Sequence, residues 1–171
     1  MVENKVMDNI FKNILDNAKV TIGSQVYGGA TVNSDYDFIM NIGQYNTLIG
    51  YLERVGISFS ETNGSSQNED PVMFNIGNLK FILDTTEGRK LINVLAYPVD
   101  DIPKLVEVNK AMLKIIESPL LANNIAKSKK YRVDIFMTLL ITAFDAWDQN
   151  ENTWETIPDD LENIDLDDMP F

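Results

Sequence analysis

The chain has no cysteine and no histidine. The first absence removes disulfides and thiol nucleophiles; the two together remove Cys/His zinc sites and any catalytic triad built on an imidazole base. Acid–base chemistry therefore falls to carboxylates, lysine or tyrosine. Long hydrophobic runs are also missing. The longest nearly apolar stretch, Phe136 to Phe144, is too short to span a bilayer. The opening residues, MVENKVMDNIFKN, alternate charge with apolar side chains and contain no apolar core of signal-peptide length. Together these absences point to a reducing cytoplasm as the expected compartment.

Positive charge is missing from one end. No Lys or Arg follows Arg132, whereas eleven of the 26 acidic residues do, so the net charge of -12 belongs mostly to the tail. The body is close to neutral. A tail of that sign is repelled by nucleic acid.

The hydrophobic residues, 44% of the chain, suffice for a proper core at this length. Their spacing predicts a helix over 3–18 (Val6, Ile10, Phe11, Ile14, Leu15), a strand over 19–22 and a second strand over 35–42. A helix follows over 44–55, with Leu48, Ile49, Leu52 and Val55 as its buried face. A short strand over 57–59 leads into the polar loop ETNGSSQNED. Strands over 72–76, 79–84 and 90–97 read as an antiparallel meander, turning at Gly77-Asn78 and at Thr85-Thr86-Glu87-Gly88. Asp100 or Asp101, with Pro103 in the first turn, starts a helix carrying Leu105, Val108, Met112, Ile115 and Ile116; it stops before Pro119. The cluster Lys127, Lys129, Lys130 and Arg132 reads as a solvated basic face, with a phosphate or the chain's own acidic tail as the alternative partners. A last helix spans 131–147, with Ile135, Leu139, Thr142, Ala143 and Ala146 toward the core. The expected architecture is α+β, a mixed or antiparallel sheet with helices on one side. The expected division is a body over 1–148 and an acidic tail over 149–171.

The most informative stretch runs from Gly23 to Met40. Strand alternation puts Asp35 and Asp37 on one face and Tyr36, Phe38 and Met40 on the other. Two carboxylates so close invite a divalent cation with oxygen ligands, magnesium by preference, because otherwise one of them is pushed toward protonation. Upstream, a helix starting at Gln25 leaves Gly23 and Ser24 in a turn whose amides and hydroxyl can cradle a phosphate.

In register and without a gap, Gly23, Ser24, Tyr27, Gly28, Thr31, Ser34, Asp35, Tyr36 and Asp37 resemble the signature of the DNA-polymerase-beta-like nucleotidyltransferase superfamily, in particular its small bacterial and phage members. The resemblance implies a nucleoside triphosphate (NTP) bound with Mg2+, in a two-ion site if active, and attacked at its α-phosphate by an acceptor hydroxyl. It implies nucleotide contacts from Gly23, Ser24 and Ser34, and metal ligation by Asp35 and Asp37. Such chemistry needs a third carboxylate on a later strand. Two residues compete for that place. In KLINVLAYP the matching position is Asn93, inside its strand, where hairpin geometry favours it; an amide there ligates a cation but accepts no proton. Asp84, at the turn end of the preceding strand, takes the role only if the register shifts. Lys80, Arg89 and Lys90 are the bases available to neutralise a triphosphate.

The last residues, Asp167, Asp168, Met169, Pro170 and Phe171, are similar to the C-terminal tip of bacterial single-stranded DNA-binding proteins. That resemblance implies a protein partner among genome-maintenance enzymes, with the Phe171 ring in an apolar pocket and the aspartates steering toward bases. Two functions are therefore expected as rivals. One is transfer of a nucleoside monophosphate to a hydroxyl. The other is a catalytically silent protein of the same fold that captures host replication or repair enzymes through its tail.

Overall fold

A computed structural model describes residues 3–62, 74–120 and 128–149, with side chains to 145. The described residues divide into two compact units. One holds residues 3–26 and 30–102; the other holds 27–29 and the helical segments from Pro103 onward.

The first unit is α+β. Helix α1 (Asn4–Asn17) leads into strand β1 (Val20–Ile22), a single turn α2 (Ser24–Tyr27), strand β2 (Tyr36–Asn41) and helix α3 (Ile42–Val55). Strands β3 (Phe59–Thr62), β4 (Gly77–Thr85) and β5 (Gly88–Tyr97) complete a five-stranded mixed sheet in the order β1-β2-β5-β4-β3. Among the described residues only the β2–β5 pairing is parallel. Alternation along the strands sends Phe38, Met40, Leu79, Phe81, Leu83, Ile92, Val94 and Ala96 to one face, where Ile10 and Ile14 of α1 and Tyr45 and Leu52 of α3 close the core. Leu15 lies off this stripe and stays exposed.

Helix α3 begins two residues earlier than its apolar periodicity predicts. Asn41, the last residue of β2, caps it: Gln44 N donates to Asn41 Oδ1 (2.9 Å), and Asn41 N donates to Gln44 Oε1 (3.3 Å). This reciprocal pair satisfies two amides that a bare helix end would leave open. Gly56, at φ +81°, ends the helix in the left-handed conformation.

The expected turn at Gly77-Asn78 is corrected. Both residues lie inside β4, paired with Ala96 and Leu95, and residues 74–76 form no strand ahead of them. Glycine is needed there for space, because an added Cβ would come 2.9 Å from the Tyr45 ring and hydroxyl. The short strand expected over 57–59 is β3, displaced to Phe59–Thr62. The β4–β5 hairpin turns at Thr86 and Glu87, with Thr85 opposite Gly88. Asp8 of α1 ties the turn down, accepting from Thr86 N (2.9 Å) and Thr86 Oγ1 (2.8 Å).

The first unit ends in a 3-10 turn over Val99–Asp101, and the second holds helix α4 (Ile102–Ile116) from Pro103 onward and helix α5 (Lys129–Gln149). Leu105, Val108, Met112 and Ile115 are buried on α4; Ile135, Leu139, Leu140 and Ala143 are buried on α5. Thr142 is exposed and donates to Thr138 O, while Ala146 lies beyond the described side chains. Lys130 pairs with Asp134 at the surface, but Arg132 is buried, so the basic cluster is not one solvated face. Among the described residues no helix is long and apolar enough to cross a membrane.

Tyr45 anchors the sheet edge. Its hydroxyl donates to Glu61 Oε2 of β3 at 2.6 Å, and burial, reinforced by the hydrogen bond and charge of Glu61, holds its proton beyond the ordinary tyrosine range. The folded chain keeps this proton after the unfolded chain releases it. The stability it contributes is therefore complete below about pH 10 and falls as pH rises further. Tyr45→Phe should flatten that alkaline fall in denaturation midpoints; an unchanged slope would assign it elsewhere. Gly77→Ala should cost roughly 1–3 kcal/mol in urea denaturation by overpacking the same ring, and in a Tyr45→Ala background the same substitution should cost little.

Candidate functional site

The parallel ladder decides which side chains meet. Asp37 of β2 is paired with Asn93 of β5, Asn93 with Lys80 of β4, and Lys80 with Ser60 of β3. Paired residues share a face, so Asp37, Asn93, Lys80 and Ser60 form one row on the face opposite Phe38, Val94 and Leu79. Ile22 of β1 begins that row, opposite Asp37.

Asp37 is held from two sides. Asn93 Nδ2 donates to its Oδ1 at 3.0 Å. Its other oxygen lies against Gly23, the residue after β1, where any Cβ would collide with Oδ2. Gly23 also adopts φ +85°, so the position needs glycine for its backbone as well as for its space. The following turn closes with Val26 N donating to Gly23 O at 3.0 Å. Ser24 is the first residue of α2, one position earlier than expected, and the helix lasts a single turn.

The loop into β2 is braced by its own side chains. Thr31 N donates to Ser34 Oγ (2.8 Å), Ser34 N to Thr31 O (3.1 Å) and Gln25 Nε2 to Ser34 O (3.2 Å). Ser34 thus fixes the turn that delivers Asp35, which is partly buried and precedes β2 by one residue. Between the two acids, Tyr36 turns to the opposite face. There the Phe11 ring meets it edge-on at 5.1 Å, and Lys90 Nζ donates to its hydroxyl at 3.4 Å.

Of the candidate residues, Gly23, Asp37 and Asn93 are brought into contact. Asp84 is not. It stands four residues along β4 from Lys80, about 13 Å at strand rise, and accepts from Arg89 Nε at 3.2 Å beside the hairpin turn. Arg89 is engaged there, and Lys90 lies on the core-side face, so Lys80 is the base that shares the row of Asp37. Counting outward from a two-residue turn at Thr86-Glu87 would have found this pairing in the sequence. Asp167, Asp168, Met169, Pro170 and Phe171 lie outside the described residues.

The donor set is oxygen-rich. Asp35 and Asp37 supply carboxylates, and Asn93 Oδ1 is a buried acceptor with no hydrogen-bond partner among the described residues. Such oxygens suit a hard divalent cation, which would also satisfy the orphaned amide oxygen after a half-turn of its side chain. They suit one ion better than two, because among the described residues no three acidic side chains gather. At the third place Asn93 presents an N–H to Asp37 instead of a charge.

Gly23→Ala tests the packing directly. Left-handed strain alone costs roughly 1–2 kcal/mol, as it should at Gly88, which has φ +120° and open space around its Cα. Gly23→Ala should exceed Gly88→Ala by a further 1–3 kcal/mol or so in urea denaturation. Equal losses would mean that the carboxylate of Asp37 moves aside freely.

Comparison with protein-family models, curated proteins and solved structures finds no match to the chain.

Proposed function

We propose that this chain is a nucleotidyltransferase-fold protein that binds an NTP with Mg2+ and passes a nucleoside monophosphate to a hydroxyl acceptor. The observation that carries the reading is the carboxylate of Asp37 packed between Gly23 and Asn93. A glycine bend, a strand acid and an amide on the adjacent parallel strand are parts that can hold a divalent cation against a phosphate. Asp35 and Asp37 would hold the ion, which when bound neutralises phosphate charge. Gly23 leaves the space that a bulkier residue would fill, and the Ser34 turn fixes where Asp35 stands.

In the transfer, the acceptor oxygen forms a bond to the α-phosphorus, the bond to the bridging oxygen breaks, and pyrophosphate leaves. Asn93 cannot take the acceptor's proton. That proton passes to Asp35, the remaining carboxylate at the site.

The same Asn93 favours a second reading, in which the site binds nucleotide without turning it over and the acidic tail carries the function. In that case Asp167, Asp168, Met169, Pro170 and Phe171 engage a genome-maintenance enzyme that accepts single-stranded DNA-binding protein tips.

Equilibrium dialysis with each of the four NTPs, with and without magnesium, tests the first reading. Wild type should bind at least one NTP in a magnesium-dependent manner, and Asp37→Ala should weaken it more than tenfold; binding that ignores either change ends the proposal. Asn93→Asp separates the two readings. It should raise transfer from labelled NTP if the chemistry is latent, and leave a silent protein silent. For the silent reading, a purified tip-binding helicase should capture the full chain and not one truncated after Asp168; equal capture would rule the tail out.

A further inference from the structure

Beside the acid pair lies a cavity of about 760 Å3 that the preceding reading leaves unused. It is bounded by Asp35 at one place and by Ser58, Phe59, Ser60, Lys80 and Ile82 at another. Its size falls within the range of small-molecule clefts, about 300–1,000 Å3. The lining is mixed in a useful way. Ile82 is 44% exposed although it is a large apolar side chain. Lys80 stands two residues away on the same face of β4, with the hydroxyl of Ser60 on the paired residue of β3.

Among the described residues Lys80 is the free cation of this region. Arg89 is spent on Asp84, and Lys90 is spent on Tyr36 and Glu87 of the other face and the turn. Lys80 has no ion pair or hydrogen bond among the described residues. An unpaired ammonium beside two serine hydroxyls is a site for an anion, and a phosphate accepts from all three. Asp84 also lines the cavity, but its charge is met by Arg89, so the anionic group belongs at the Lys80 end.

The distance to the acids sets the rest of the ligand. Asp37, Asn93 and Lys80 occupy three adjacent strands, two strand spacings or about 10 Å across. A ligand with its anionic group on Lys80 would present a hydroxyl near Asp35 if those two groups stood several ångströms apart.

We propose that this cavity is the acceptor site, and that the acceptor is a small phosphorylated hydroxyl compound of nucleoside monophosphate size. Its phosphate is held by Lys80, Ser58 and Ser60, its body lies on Ile82 and the paired Leu91 of β5, and its hydroxyl is turned toward Asp35. As an acceptor assignment this rests on the transfer reading above; as a binding site it needs no metal.

The test uses the full chain in EDTA, titrated by calorimetry with AMP and with adenosine. AMP should bind at least tenfold more tightly than adenosine. Lys80→Ala should remove about tenfold of the AMP affinity, and Lys80→Arg should restore most of it. Magnesium-dependent ATP binding should be the same in wild type and Lys80→Ala. Equal binding of AMP and adenosine, no effect of Lys80→Ala, or an equal loss of ATP binding would each overturn the assignment, the last by making Lys80 a ligand of the triphosphate. A short oligonucleotide that outcompetes AMP would also overturn it. If ATP fails to bind wild type while AMP binds through Lys80, the transfer reading falls and the anion site stands.

Discussion

The parallel pairing of β2 with β5 is the constraint on which the rest of the first unit depends. The other neighbouring strands run antiparallel, with β4 and β5 joined by a two-residue turn. A parallel pair cannot be made by a turn; it needs a crossover, here residues 42–87, carrying α3, β3 and β4. That crossover puts β5 in the middle of the sheet, between β2 and β4, so Asn93 has Asp37 on one side and Lys80 on the other. Hydrophobic burial fixes the register. Sliding β5 by one residue would turn Ile92, Val94 and Ala96 out of the core and Asn93 into it.

The two faces of the sheet divide the work. On the core side, Phe11 and Tyr36 stack edge-on while Lys90 lies over both rings, so the strand segment bearing the acids is gripped from below. On the opposite side the row Asp37, Asn93, Lys80 grades from anionic through neutral to cationic across three strands. An amide between a carboxylate and an ammonium is electrically quiet, and it leaves one buried oxygen unsatisfied. That oxygen, like Asn78 Oδ1, costs the fold stability without an internal return among the described residues. A bound cation or donor would supply what is missing.

A carboxylate at position 93 would stand next to that of Asp37 and require a cation to tolerate the repulsion. Asparagine lets Asp37 rest in a hydrogen bond instead. The same substitution removes a proton acceptor, so binding and turnover are separable in this site. The long loop and the acidic tail lie outside the described residues, and the second unit contributes its own buried face, in which Lys104 lies 4.6 Å above the Phe144 ring.

Much of the local structure was legible in the residues themselves. Apolar spacing located α1, α3, α4 and α5 because helical period depends only on which side chains must leave water. The alternation around Asp35-Tyr36-Asp37 assigned the faces of β2, and the tight Thr86-Glu87 turn announced the β4–β5 hairpin. Local rules failed where a distant partner intervened. Gly77-Asn78 looks like a turn, yet Gly77 sits in a strand because the Tyr45 ring, 32 positions earlier, occupies the space of its side chain. Gln44 could be read as a helix start only until Asn41 was seen to cap it. The chain by itself determined that its chemistry must use carboxylates, amides, hydroxyls and lysines. Only the tertiary structure decided which of them meet, because pairing between strands 56 residues apart, as for Asp37 and Asn93, is set by packing and not by sequence neighbourhood.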